Sequence, residues 1–345
     1  MNRRQFVKWG LQGALVGGLG GSLAGCGRRD GNGRPRLRLG YLPITDHLLL
    51  LAHDYCAFKR FELVPVKFSS WPEAAEALRA GAVDGAFLLT PLGLALRRQR
   101  TPIQAVLLGH RNGSVLTLAA ADKTNSVAGL AGKRLAIPSR FSTHYLLLRR
   151  LLAAAGLPPE AVEYIDMAPP EMVQALAGGR LDGFIVAEPF GAQAEIQEVG
   201  RVFTLSKEIW PGHICCVLNL REEFIQARPA AVQELVAGLT ATGRYIEANR
   251  RAAAERSVPY LGQAPEVIEF VLTQPPERVT YDDLYPARED FAATREQMLR
   301  VGQRQVDGVR LDDYLEPGFA AALTAAAGHY QPERGMAGYP GWAGG

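Results

Sequence analysis

The 345-residue sequence has little net charge, few aromatic residues and few cysteines. Its formal charge is +3, and Arg3, Arg4 and Lys8 account for that excess, so the chain beyond residue 25 is neutral. A neutral chain without a basic block gives no reason to expect a nucleic acid as partner. The nucleophile elbow G-x-S-x-G, the P-loop, the Rossmann G-x-G-x-x-G and the metalloprotease H-E-x-x-H are all missing. We therefore predict that the protein is not an enzyme and has no catalytic residues.

The cysteines give no recognisable framework. They are Cys26, Cys56, Cys215 and Cys216, and their spacing matches no zinc-binding pattern. A disulfide between the adjacent Cys215 and Cys216 would close a strained ring. We predict that Cys56, Cys215 and Cys216 are buried, small apolar residues, with a redox or metal role as the less favoured alternative. No metal site is predicted.

Residues 1–25 have the features of an export signal. Arg3 and Arg4 precede a stretch from Trp9 to Ala24 that is too short and too rich in glycine for a membrane span. The paired arginines favour the twin-arginine export route. The stretch ends in Leu23-Ala24-Gly25-Cys26, which is similar to a lipobox, so lipidation of Cys26 is expected; an ordinary signal peptide is the alternative. The protein would then be exported and held by lipid on a membrane face, in the periplasm or outside the cell membrane.

Short strands alternate with helices in the remaining chain. Strands are predicted at 36–42, 62–68 and 83–89, with helices at 47–58 and 72–80 between them. This alternation predicts a parallel sheet with right-handed crossovers. The chain is too long for one typical core, so two lobes are expected.

The same pattern occurs twice. The stretch 77–91, which contains Asp84-Gly85, aligns with 175–189, which contains Asp182-Gly183, at an offset of 98 residues. His47 and His144 agree at an offset of 97. Two copies of one unit predict two similar lobes. The predicted fold class is α/β, with two parallel or mixed sheets flanked by helices.

Two segments, 114–119 and 214–219, are expected to join the lobes, and each follows a Gly-His pair. Two crossing strands form a hinge that lets a cleft close on a ligand. The predicted organisation is a signal at 1–25, a tether at 26–35, lobe one at 36–116 and 219–330, lobe two at 117–218, and a flexible tail at 331–345.

The ligand is expected at the carboxyl ends of the strands, where loops of both lobes line one cleft. These loops carry hydroxyls, imidazoles, acids and an aromatic ring, which suit hydrogen-bonded capture of a small polar solute. The predicted ligand-binding residues are Thr45, Asp46, His47, Trp71, Phe87, Thr90, Arg140, Ser142, His144, Glu188 and His213. Structural alternatives stay open: a helix cap for Thr45, Asp46 or Ser142, rim packing for Trp71, a surface position for His144 and an ion pair for Glu188.

These residues carry a family resemblance. The motifs are Gly40-Tyr41-Leu42-Pro43-Ile44-Thr45-Asp46, Ser70-Trp71, residues 141–149, Pro169-Pro170-Glu171, Glu188-Pro189-Phe190 and Glu208-Ile209-Trp210. The sequence resembles the nitrate/sulfonate/taurine class of binding proteins of ABC importers, and within it the nitrate- and bicarbonate-binding lipoproteins. The resemblance implies a type II periplasmic-binding fold, a permease and ATPase subunits as partners, and ligand contacts at Thr45, Trp71, His144 and Glu188. A monomer is expected.

The sequence departs from that family at two points. Phe87 stands where the nitrate and bicarbonate binders have glutamine, and no lysine follows Lys207. Both changes weaken the case for nitrate and favour an organic or sulfonate-like ligand, with Arg140 as a bidentate partner for its acid group. Calcium co-binding, as in the bicarbonate binders, is left open through Asp46 and Glu188. The alternatives are an enzyme similar to thiamine-pyrimidine synthases, or a binder of such precursors, and a solute-sensing lipoprotein without a transporter.

Overall fold

The computed structural model describes residues 30, 31 and 33–327. The predicted signal at 1–25, Cys26 with its predicted lipid, half of the tether at 26–35 and the tail at 331–345 lie outside the described residues. Among the described residues, no helix combines the length and the apolar character that crossing a membrane requires.

Within this described part, twelve strands are assigned: β1 Arg36–Tyr41, β2 Glu62–Lys67, β3 Gly85–Leu89, β4 Ile103–Leu108, β5 Arg111–Asn112, β6 Ser114–Ala119, β7 Arg134–Ile137, β8 Glu163–Asp166, β9 Gly183–Ala187, β10 Gly200–Leu205, β11 Cys216–Arg221 and β12 Val279–Thr280. The α-helices are α1 Ala52–Tyr55, α2 Trp71–Arg79, α3 Thr90–Arg98, α4 Thr143–Ala154, α5 Pro169–Ala177, α6 Phe190–Ile196, α7 Ser206–Ile209, α8 Glu222–Ala227, α9 Pro229–Ala248, α10 Arg250–Leu261, α11 Pro265–Thr273, α12 Arg288–Arg300, α13 Leu311–Tyr314 and α14 Gly318–Ala327. Short 3₁₀ helices lie at Thr45–Leu51, Val127–Leu130, Pro159–Ala161 and Arg304–Val306.

Two five-stranded sheets form the cores of two lobes. The first has the order β2-β1-β3-β11-β4 and the second the order β10-β6-β9-β7-β8. In each sheet three neighbouring strands run parallel: β2, β1 and β3 in the first, and β8, β7 and β9 in the second. The next strand is antiparallel, with β11 pairing with β3 and β6 pairing with β9. The predicted α/β class with two similar, mixed sheets is confirmed.

The chain crosses between the lobes twice, at residues 109–113 and 206–215. The strands that follow, β6 and β11, lie inside a sheet rather than between the lobes. The crossings therefore precede the predicted lobe boundaries at 116/117 and 218/219. An apolar run looks the same whether it spans two lobes or enters the interior of one sheet, so periodicity alone could not locate the crossing.

The repeat has a specific structural basis. The Asp84 carboxylate accepts the Arg38 backbone N–H at 2.9 Å, and Asp182 accepts that of Arg134 at 2.7 Å. In both copies the arginine side chain also bonds the aspartate, at 3.0 Å. The Asp-Gly pair thus fastens the turn before β3 and β9 to the neighbouring strand in each lobe.

The first helix differs from the prediction. A single helix was predicted over 47–58, but the chain forms the 3₁₀ helix Thr45–Leu51 and then the short α1. His47 lies outside helical geometry, with φ −111° and ψ 16°. Its Nδ1 lies 2.8 Å from the backbone nitrogen of Leu42 and 3.1 Å from its carbonyl oxygen, so the side chain folds back against the end of β1. This contact turns the imidazole inward.

Candidate functional site

The loops that follow the parallel strands of both sheets meet between the lobes. Thr45 follows β1 and Glu188 follows β9 directly. The backbone N–H and the Oγ1 of Thr45 both donate to the carbonyl oxygen of Glu188, at 2.8 and 3.0 Å. Both residues are fully buried, so the lobes are closed against each other in this structure.

Twelve buried side-chain nitrogen and oxygen atoms of the described residues have no hydrogen-bond partner, and four of them are ring nitrogens of predicted ligand-binding residues. These four are His47 Nε2, Trp71 Nε1, His144 Nδ1 and His213 Nε2. The first two belong to lobe one, His144 opens α4 of lobe two, and His213 lies in the second crossing. Buried polar groups are nearly always hydrogen-bonded, so an unpaired set contributed by both lobes and the hinge points to a solute.

In a neutral histidine one ring nitrogen carries a proton and the other a lone pair, so the partner of one nitrogen can show whether the unpaired nitrogen donates or accepts. His47 Nδ1 lies 2.8 Å from the backbone nitrogen and 3.1 Å from the carbonyl oxygen of Leu42, so the tautomer decides whether Nε2 donates or accepts. His213 Nδ1 lies 2.8 Å from the carbonyl oxygen of Trp210 and must donate, which leaves a lone pair on Nε2. His144 Nε2 pairs with Ser114 Oγ at 3.0 Å, and either atom can donate.

The three histidines are neutral. Burial lowers the pKa of His47, His144 and His213 to about 3 in each case. The charge on His110 lowers all three further, and His213 also lowers the pKa of His144.

Asp46 contacts a second group of residues. Its Oδ2 lies 2.9 Å from His110 Nε2 and accepts from Cys216 Sγ at 3.5 Å. Cys215 lies beside them, and all four residues are fully buried. Burial alone would lower the pKa of His110, but the ion pair and hydrogen bond with Asp46 outweigh it and raise the value to about 10. Asp46 is therefore neither a helix cap nor directed at the orphan nitrogens.

The sequence analysis missed His110 and favoured an apolar role for the cysteines over a redox or metal role. His110 was visible only as half of the Gly109-His110 pair that preceded an expected crossing. Its partner, Asp46, is remote in sequence, so no local spacing could connect them. Cys215 and Cys216 are buried as predicted, but next to Asp46 and His110, whereas the prediction of burial was wrong for Cys56, which is half-buried.

Glu188 is held by an arginine that the sequence did not single out. Arg278 donates through Nε to Glu188 Oε1 at 2.7 Å and also through Nη2. The backbone N–H of Ala192 donates to Oε2 at 3.0 Å. Both carboxylate oxygens are thus occupied, and the structure favours the ion-pair alternative for Glu188 over direct ligand contact.

The remaining predicted residues support the junction or lie apart from it. Phe87 stacks on His47 with ring centroids 5.2 Å apart, and Thr90 Oγ1 donates to the carbonyl oxygen of Cys215 at 2.9 Å. Ser142 caps α4 by accepting from the Tyr145 N–H at 3.1 Å. Arg140 is exposed, with its guanidinium over the Tyr164 ring at 4.8 Å. The structure therefore does not bring Arg140 together with the buried histidines.

The residues at the junction do not fit calcium. Calcium takes six to eight oxygen ligands in typical protein sites. Asp46 and Glu188 were the two candidate ligands, but the side chains beside them are His110 and Cys216 at Asp46 and Arg278 at Glu188, which supply no further oxygen ligands.

Comparison with known proteins shows the family of this chain. The profile of the NMT1-like family matches residues 30–259. The chain belongs to the NMT1-like family. A solved structure similar to this chain is the zinc-bound ligand-binding component of an ABC-type import system from Staphylococcus aureus. The two are 28% identical, with a TM-score of 0.75 over 83% of this chain and 98% of the other.

Other relatives of this NMT1-like chain are importer proteins. The nitrate import ATP-binding protein NrtC of Synechocystis sp. is 31% identical over 244 residues, which are 64% of this chain and 36% of that protein. The periplasmic nitrate-binding protein NrtA from Synechocystis shares the fold, with a TM-score of 0.75 and 19% identity over 84% of this chain and 88% of the other. The chain spans between 35% and 52% of the length of the curated relatives it matches.

Proposed function

We propose that the chain is the solute-binding component of an ABC importer and not an enzyme. It captures a small polar solute between its lobes and delivers it to permease and ATPase subunits. The observation that carries the proposal is the set of four buried, unpaired atoms on His47, Trp71, His144 and His213. Membership of the NMT1-like family and the likeness to the Staphylococcus aureus import component support it.

The chemistry of the four atoms narrows the range of solutes. Trp71 offers an N–H donor, whereas His213 offers a lone pair that needs a donor from the solute. Burial disfavours charge on the imidazoles, and Arg278 is already paired with Glu188. A solute with both donors and acceptors, such as bicarbonate or a small organic molecule, fits this set better than nitrate, which only accepts. Phe87 stacks on His47, and Ser142 caps the helix that carries His144.

The proposal includes export and a lipid anchor. Leu23-Ala24-Gly25-Cys26 supports lipidation of Cys26, and the paired Arg3 and Arg4 support the twin-arginine route. Mass spectrometry of membrane fractions tests this part. An N-terminus at an acylated Cys26 is expected, and an intact or differently cleaved N-terminus would contradict it.

Thermal unfolding of the purified full chain tests the binding function. The solutes are bicarbonate, nitrate, taurine, alkanesulfonates and pyrimidine precursors of thiamine. A bound solute stabilises the folded state by about 2.7 kcal/mol at roughly a hundredfold excess over its dissociation constant. One class is expected to raise the melting temperature clearly.

Two variants show whether that shift comes from the junction. Trp71→Phe removes the unpaired N–H and is expected to weaken binding about tenfold, the equivalent of one hydrogen bond. Thr240→Val also removes a buried, unpaired oxygen, but from α9, and should leave binding unchanged. A folded protein that responds to no solute, or a shift that survives Trp71→Phe undiminished, would count against the proposal.

A further inference from the structure

The hinge contains a second polar cluster that the solute-binding proposal does not use. Asp46 follows β1 in lobe one, His110 lies in the first crossing, and Cys215 and Cys216 end the second crossing at the start of β11. The fold brings these four residues together because β11 enters the sheet between β3 and β4, beside the loop after β1. All four side chains are completely buried.

The spacing of the four side chains is that of a metal site. One potential ligand atom from each residue lies within 4.8 Å of each of the others. The closest distances are 2.9 Å from Asp46 Oδ2 to His110 Nε2 and 3.5 Å to Cys216 Sγ. Around a tetrahedral ion with bonds of about 2.0 to 2.3 Å, neighbouring ligand atoms lie roughly 3.3 to 3.8 Å apart. Rotamer adjustments of about an ångström are therefore enough to surround an ion.

Two glycines bring the first crossing against this cluster. A Cβ at Gly109 would lie 2.8 Å from the carbonyl oxygen of Asp46. A Cβ at Gly113, where φ is +84°, would lie 2.9 Å from His110 Nδ1 and 3.0 Å from Asp46 Oδ1. The backbone at Gly109 and Gly113 thus lies so close to Asp46 and His110 that a side chain at either position would clash.

The chemistry of the four ligands selects the ion. Two sulfurs, one imidazole and one carboxylate suit a borderline-soft divalent ion such as zinc, and they do not suit calcium or magnesium, which prefer oxygen. Asp46 Oδ1 is buried and has no hydrogen-bond partner, which leaves the carboxylate able to serve a cation. We propose that Asp46, His110, Cys215 and Cys216 bind one zinc ion at the hinge.

Zinc in this position would tie lobe one to both crossings at once. Binding takes place through two thiolates and a neutral imidazole, so the two thiol protons and the extra proton of the His110 imidazolium pass to solvent as the four bonds to the ion form. An ion held only by the folded chain stabilises it by mass action. The proposal is independent of the solute, because none of the four ligands is one of the unpaired donors or acceptors of the solute site.

The test uses the full chain without a histidine tag, carrying Cys26→Ser and Cys56→Ser, so that only Cys215 and Cys216 supply thiolates. Metals are first removed with a chelator. Zinc affinity is then measured by titration in competition with a zinc indicator, and the amount of bound zinc is measured by elemental mass spectrometry. One equivalent of zinc is expected. Cobalt is then added as a probe, and it should give a thiolate charge-transfer band in the near ultraviolet together with tetrahedral d–d bands.

Single variants test the assignment. Cys215→Ser and Cys216→Ser are each expected to weaken zinc binding more than about a hundredfold, beyond the loss usual for a residue that only supports a ligand. The matched control restores Cys56 by carrying Cys26→Ser only, and it should bind the same single equivalent of zinc as the parent. Zinc binding that survives Cys216→Ser would overturn the proposal. If the serine variants do not fold, the parent chain still decides, because a cobalt complex without a thiolate band also overturns it.

Discussion

Thr45 and Glu188 join the two lobes through a single acceptor atom. The carbonyl oxygen of Glu188 receives the Thr45 backbone N–H at 2.8 Å and the Thr45 hydroxyl at 3.0 Å. The Glu188 carboxylate is bound at the same time by Arg278, which comes from the segment after α11. One residue of lobe two thus contacts two separate parts of lobe one, and the closed arrangement depends on it.

Loss of Arg278 is expected to destabilise the fold strongly. The side chain is 2% exposed and its partner Glu188 is fully buried, so Arg278→Met leaves an uncompensated buried carboxylate. Breaking a buried pair from one side costs about 3 to 5 kcal/mol of the free energy of unfolding. Urea unfolding monitored by circular dichroism measures the loss.

Arg288→Met provides the control for Arg278. The ion pair between Arg288 and Asp312 is largely exposed, and exposed pairs contribute about 0 to 1 kcal/mol. The double variant Arg278→Met/Glu188→Gln should regain part of the loss, because the unpaired charge is removed. Equal destabilisation by Arg278→Met and Arg288→Met would show that the buried pair has no special role.

Gly113 is expected to be intolerant of a side chain. At φ +84° any other residue costs about 1 to 2 kcal/mol. Gly113→Ala also places its Cβ 2.9 Å from His110 Nδ1. Gly132→Ala separates the two effects, since Gly132 has φ +78° but no atom within 4 Å of its Cβ. Chemical unfolding should show a larger loss for Gly113→Ala, and equal losses would mean that the hinge yields to the new methyl group.

The protein should lose stability as the pH is lowered, and His144 should account for part of that loss. Its pKa in the folded protein is about 3, below the ordinary 6.5, so the unfolded chain takes up the proton first as the pH falls. The contribution is complete above pH 6.5 and is lost towards pH 3, with a slope approaching about 1.4 kcal/mol per pH unit. His144→Gln should flatten the pH dependence of the free energy of unfolding by that share.

His53→Gln controls for the substitution at His144, because His53 is an exposed histidine that contacts Asp54 and Tyr260. Urea titrations at pH 7, 6 and 5 compare the two variants with the parent chain. A pH dependence that is the same for His144→Gln and the parent would show that the pKa of His144 is no lower in the folded protein than in the unfolded chain.

The site should discriminate against solutes that only accept hydrogen bonds. Nitrate would leave the lone pair of His213 Nε2 unpaired in the closed state, which costs about 1 to 3 kcal/mol. Isothermal titration calorimetry at matched ionic strength is expected to give nitrate at least about tenfold weaker binding than the best donor-bearing solute. Tighter binding of nitrate than of every such solute would contradict the tautomer assigned to His213.

The parts of the fold that follow from local patterns could be predicted from the sequence. Asp84 and Asp182 each fasten a turn to a neighbouring strand, so their spacing to the following strand is short and repeats visibly. The location of His47 and His144 at the ends of parallel strands could be predicted, because each residue comes shortly after such a strand in the sequence. The pairing of Asp46 with His110 and of Glu188 with Arg278 could not be predicted, since each joins segments far apart in the chain. Arg140 was misleading for a related reason: it follows β7 in sequence, but its side chain turns outward onto Tyr164.

The placement of β11 determines the order in which the two lobes can be completed. Every strand of the second sheet, from β6 to β10, is contiguous in the chain. The first sheet has a gap between β3 and β4 that only β11 fills, after the whole of lobe two has been synthesised. During translation, the lobe that begins first is therefore finished last. Until residue 221 has emerged, β3 and β4 present two open edges with which another strand can pair.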